Sequence, residues 1–159
     1  MARDPDPTIA VTSIKGVTRT LDDWTTMFHL AMVVLPARHE ASAWVPVGRR
    51  IFATFGDADC HTAYCVTGNP GAGRRVLGSA ADDAVVFVDP ERALAQSLGL
   101  ERVPAFVHLR QDTTLVDAAE GWQPGEWQRV ADKLGKAMGW SVPQVLGRGD
   151  PAPTPGWPV

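Results

Sequence analysis

Cysteine is scarce in this chain: its 159 residues hold two, Cys60 and Cys65, spaced C-x4-C. That count rules out a disulfide scaffold, and a chain of this length can bury a core without one. Long hydrophobic runs are absent, since no stretch approaches the roughly 20 apolar residues of a membrane span. Basic blocks are also missing. Fifteen Lys and Arg stand against eighteen Asp and Glu, for a net charge of −3, so neither nucleic acid nor a membrane surface is expected as a partner. The opening MARDPDPT carries no apolar signal core, which makes a cytoplasmic location the expectation. Metal-ligand pairs are lacking too: structural zinc wants four ligands, and Cys60-His61 with Cys65 has no second pair, while His29, His39 and His108 are scattered. No metal or cofactor is expected. What is present, 45% hydrophobic and 21% charged residues, suits one globular domain.

The most informative stretch is Asp89 to Gly121, DPERALAQSLGLERVPAFVHLRQDTTLVDAAEG. Asp89 is placed to cap a helix, Pro90 suits the first helical position, and Gly99 can end it, which predicts a short helix over Pro90 to Leu98. Ala93, Leu94 and Leu98 form its apolar face. Val103-Pro104 then leads into a strand, Ala105 to Leu109, and a turn returns the chain as a second strand, Thr114 to Ala118. A proline at a strand's first residue is one of the few places a sheet tolerates it.

The rest of the chain sorts by periodicity. Residues 1–7 read as a flexible tail. Thr8 to Ile14 alternates as a first strand, Thr20 to about Phe28 as a short helix burying Leu21 and Trp24, and His29 to Leu35 as an apolar central strand covered on both faces. A helix to about Phe55 follows, with Trp44, Gly48, Ile51, Phe52 and Phe55 on one stripe and a kink at Pro46. Cys60 to Thr67 reads as a strand, Asn69 to Gly73 as a loop, Arg74 to Ala80 as a helical turn, and Ala84 to Val88 as another strand. Pro124 opens a last helix with Trp127, Val130, Ala131, Leu134 and Met138 on one face and Gly139 at its end. Residues 140–159, rich in Pro and Gly, are expected to be disordered or polyproline-like, which leaves residues 8–139 as the folded domain.

Helix, X-Pro and hairpin in that order resemble the C-terminal half of the thioredoxin fold, with Val103-Pro104 in place of the cis-proline and Gly121 closing the second strand. The longer spacing upstream is more similar to the peroxiredoxin and TlpA-like branches, and the resemblance extends over about Leu21 to Met138. It implies an α/β fold, a central mixed β-sheet flanked by helices, with both chain ends as flexible tails. Thioredoxin-like proteins carry a kinking proline just after the active site. With Pro46 as that mark, the CxxC positions fall on Arg38 and Ala41, and the buried acid near Met32. The dithiol site is therefore absent.

Two sets of residues remain as candidates. Cys60 and Cys65, five apart on one strand, point to opposite faces, which opposes a bridge; strand cysteines are commonly inert buried hydrophobes. Arg38, His39 and Glu40 stand at the expected helix start, where free N–H groups favour an anion, although such a triplet is commonly a solvated helix start. Trp122 and Trp157 are candidates for exposed partner contacts. The resemblance implies a groove beside Val103-Pro104 that holds an extended peptide by backbone pairing. The leading expectation is a redox-inactive thioredoxin-like module that binds a protein or extended peptide through Arg38, His39, Glu40, Val103 and Pro104. The alternatives are an atypical thiol oxidoreductase or peroxidase using Cys60 or Cys65, and a structural subunit; the residues set no oligomeric state.

Overall fold

A computed structural model describes all residues, 1–159. Its centre is β3 (His29–Pro36), whose alternate side chains enter two cores: Ala31, Val33 and Leu35 on one face, Leu30, Met32 and Val34 on the other. Such a two-faced apolar run requires cover on both sides, as the sequence predicts. Seven strands form the mixed sheet, in the order β2-β1-β5-β4-β3-β7-β8. Here β1 is Ala10–Ser13, β2 Thr18–Thr20, β4 Cys60–Thr67, β5 Val85–Val88, β7 Ala105–Leu109 and β8 Leu115–Glu120. β3 pairs in parallel with β4 and antiparallel with β7, and β4 pairs in parallel with β5.

One face is covered by α2 (Val45–Phe55), α3 (Pro70–Leu77) and α6 (Pro124–Met138). α6 presents Trp127, Val130, Ala131 and Leu134, all fully buried, and ends at Gly139 in left-handed backbone. The other face is covered by α1 (Leu21–Thr25) and α5 (Ala93–Ser97), through Leu21, Leu94, Ala95 and Leu98. A four-residue helix, α4 (Ala80–Asp83), precedes β5, and β6 (Arg102–Val103) stands outside the main sheet. No helix is long and apolar enough to cross a membrane.

Several expectations need correction. The segment 69–73 is not a loop: Asn69 caps α3 by accepting from the Ala72 N–H at 2.8 Å, and Pro70 follows in the first turn. The helix after Asp89 starts three residues later than expected because Arg92 takes φ 59°. Asp89 caps it all the same, accepting from Leu94 N–H at 3.1 Å and Ala95 N–H at 3.0 Å. Pro46 does not kink a helix. The chain runs as a 3-10 turn over His39–Trp44, and Pro46 falls in the first turn of α2, where its missing N–H has no partner to lose.

Neither end is a flexible tail. Along the N-terminal seven residues, Arg3 N–H donates to Leu98 O at 2.8 Å, Asp6 N–H to Ser97 Oγ at 2.8 Å, and Leu115 N–H to Asp4 Oδ1 at 2.8 Å. Residues 140–159 run extended across the α2 and α6 face and finish as β9 (Trp157–Pro158), paired antiparallel with β6.

Candidate functional site

The C-terminal end of β3 delivers Arg38, His39 and Glu40 to the surface, all exposed, while Ala41 behind them is fully buried. Arg38 Nε lies 3.5 Å from Glu40 Oε2. Glu40's carboxyl sits below its ordinary range, first through its own backbone N–H and then through Arg38. Regular α-helix begins only at Val45, so the triplet fronts a 3-10 turn and not the start of a long helix with aligned free N–H groups. That displaces the anion-binding feature expected there.

Val103 and Pro104 are buried and joined by a cis peptide bond, and the next residue begins β7 beside β3. The corner they form is filled by the chain's own C-terminal segment. Arg102 faces Pro158 and Val103 faces Trp157 across the β6-β9 ladder, and Val159 N–H donates to Glu101 O at 3.1 Å. Trp157 lies between Arg38, whose guanidinium carbon is 4.8 Å from the ring centroid, and Trp44, which meets it edge-on at 5.8 Å. Trp44's indole N–H is buried and has no partner.

The segment leading there is anchored step by step. Trp140 Nε1 donates to Thr54 O at 2.9 Å, Arg50 Nε to Val145 O at 2.8 Å, and Arg50 also pairs with Asp150. Trp122, fully buried rather than available to a partner, donates its indole N–H to Pro151 O at 2.7 Å and exchanges backbone hydrogen bonds with Thr154 at 2.8 and 3.0 Å.

Both cysteines lie elsewhere, on β4. Cys65 is fully buried on the α1 and α5 face, while half-buried Cys60 packs against the opposite core. Burial pushes the Cys60 thiol up to about 12, and raises Cys65 well above the ordinary thiol value, with Asp89 adding to the effect. Thiolate chemistry needs the reverse shift.

At the other end of β3, His29 Nδ1 and His108 Nε2 are 2.8 Å apart. Burial first, then the neighbouring His29, lowers His108 to about 4; His29 is lowered by burial and Arg110.

Of the predicted site residues, Arg38 and Val103-Pro104 meet at Gly156-Trp157, Arg38 over the indole ring and Val103-Pro104 along the backbone, Glu40 pairs with Arg38, His39 stands exposed between those two in sequence, and the cysteines stand apart. The sequence places Trp44 in the core and Trp157 as an exposed partner contact, and does not bring the two together at this site. The available signal was Trp157 itself, a large apolar residue set between Gly156 and Pro158 in a stretch with no helical face to bury it.

A mixed sheet of this order with helices on both faces and a cis-proline at the start of β7 is a thioredoxin-like fold, here without a CxxC pair. No family model matches the chain, and no curated protein does. Solved structures do. Peroxidoxin BcpB from Mycobacterium tuberculosis is 13% identical with a TM-score of 0.67, over 87% of this chain and 99% of that one. Xanthomonas campestris peroxiredoxin Q is 12% identical with a TM-score of 0.65, over 82% and 91%. A secreted M. tuberculosis disulfide oxidoreductase homologous to E. coli DsbE is 11% identical with a TM-score of 0.62, over 81% and 96%. At these identities what is shared is the fold.

Proposed function

We propose that this protein is a thioredoxin-like binding module that works without thiol chemistry, holding an extended protein segment by backbone pairing at Arg102-Val103. One observation carries the reading: this edge already pairs with an extended strand, β9, and seats its aromatic side chain beside Arg38 and Trp44. No cysteine lies in the segment between β3 and α2, and the two cysteines present, half-buried Cys60 and buried Cys65, have raised thiol pKa values. Pairing through the main chain gives affinity independent of sequence, and the aromatic slot adds selection.

The test combines two assays on wild type and on the C60S/C65A double variant. Insulin reduction and peroxide consumption should stay at background in both. An array of extended peptides should give signals that survive replacement of the cysteines and weaken in Arg38→Ala. Redox activity lost in the double variant would reverse the assignment.

A further inference from the structure

The chain's own C-terminal segment occupies the edge that the proposed function requires, so a partner must displace it. We propose that residues 155–159 act as an intramolecular ligand that closes the groove, and that the partner is an extended, uncharged polypeptide segment carrying glycine followed by an aromatic residue. This inference rests on the binding reading above and names both its ligand chemistry and its regulation.

The chemistry comes from how the strap fits. Gly156 has φ 74°, and a Cβ added there would stand 2.2 Å from Val103 O and 3.1 Å from Pro104 Cδ. Any larger residue collides with the backbone at the cis-proline corner, so a segment crossing it needs glycine at that point. The next residue enters the slot between Arg38 and Trp44. That slot suits a flat aromatic ring, which takes the guanidinium on its face and the Trp44 ring at an angle of 88°. Residues 151–159 contain no charged side chain, and the only charged group against the ring is Arg38.

Two features make the strap displaceable. Its last stretch is held by a two-residue ladder, one further backbone hydrogen bond from Val159 to Glu101, and the Trp157 and Val159 side chains, and Trp157 remains partly exposed. In the closed form Trp44's N–H is buried without an acceptor, so a segment that brings one has an advantage the strap lacks. The hinge is well placed: the Arg50 and Trp122 contacts fix the chain as far as Thr154, leaving the final residues free to leave without unpacking α6.

The experiment uses full-length protein and a fluorescein-labelled peptide PAPTPGWPV, with a second peptide in which the glycine is valine. Gly156→Val ejects the strap by collision. Trp157→Ala opens it without any clash and serves if the first variant folds poorly, as checked by circular dichroism. A strap closed in about nine molecules of ten lowers apparent affinity about tenfold. Both variants should therefore bind the glycine peptide about tenfold tighter than wild type, ignore the valine peptide, and lose the gain when Arg38→Ala is added.

Equal affinity in wild type and folded variants would overturn closure by the strap while leaving groove binding intact. Variants whose Val103 amide exchanges freely yet bind neither this peptide nor any array peptide would overturn the binding reading itself. Wild type that dimerises with rising concentration, while Gly156→Val stays monomeric, would show the segment exchanged between copies and refute an intramolecular ligand.

Discussion

Lowering the pH from 7 to 4 should destabilise the fold through His108. This side chain is fully buried on β7, bonded to His29, with Arg110, Asp117 and Lys133 the other charges that act on it. Its Nδ1 has no partner. Burial holds its pKa at about 4 in the folded protein against an ordinary 6.5. Between those values the unfolded chain binds a proton that the folded chain refuses. Stability is therefore full above pH 6.5, falls as the pH drops through that window, and stops falling from this source near pH 4. At about 1.4 kcal/mol per pH unit, the loss is about 3 kcal/mol. That is a large share of the roughly 5–15 kcal/mol that holds a typical domain. Urea midpoints of wild type and His108→Leu, taken at steps from pH 7.5 to 4, isolate the effect, because exposed carboxylates contribute equally to both. The variant should start less stable and show a much flatter pH dependence. Parallel curves would refute the reasoning.

Asp89→Ala removes both acceptors of the α5 cap and should lower stability by about 2 kcal/mol, read as a shifted urea midpoint with unchanged slope. Arg50→Ala frees Val145 O and Asp150 together, so amide exchange over residues 145–154 should rise by about tenfold while β3 and β7 stay protected. With its pKa moved from 9.0 to about 12, the Cys60 thiolate is about a thousandfold scarcer than in an ordinary thiol near neutral pH. Alkylation read by mass spectrometry should label Cys60 and Cys65 only after unfolding, and rapid labelling of native protein below pH 7 would contradict their inert placement.

The parts of the fold legible in the sequence are those with a strong period or a bounded apolar run. β3, β4, β7 and α6 lie where alternation, β-branched content or three- and four-residue spacing put them, because their cores are filled by their own side chains. β2 leaves no mark in the sequence because Thr18-Arg19-Thr20 is polar and pairs at the sheet edge, where no apolar pattern is needed. α3 was hidden by two glycines within Pro70–Leu77, although Asn69-Pro70 is a legitimate start signal. The order of the two ends is invisible in the sequence for a different reason. Their order comes from partners about a hundred residues away, such as Arg50 for Asp150 and Leu98 for Arg3, and composition carries no trace of such pairing. The same limit applies to the site. Arg38 and Pro104 could be placed by register, but the strap between them depends on Gly156 passing a corner that exists only in three dimensions.

The central claim is that segments bind at the Arg102-Val103 edge and that the cysteines take no part. Hydrogen exchange of the full-length protein, followed by mass spectrometry with and without excess PAPTPGWPV peptide, tests it most directly. The account predicts altered exchange over residues 101–104 and 155–159, with β4 around Cys60 and Cys65 unchanged. Changes centred on β4, with residues 101–104 unaffected, would contradict it.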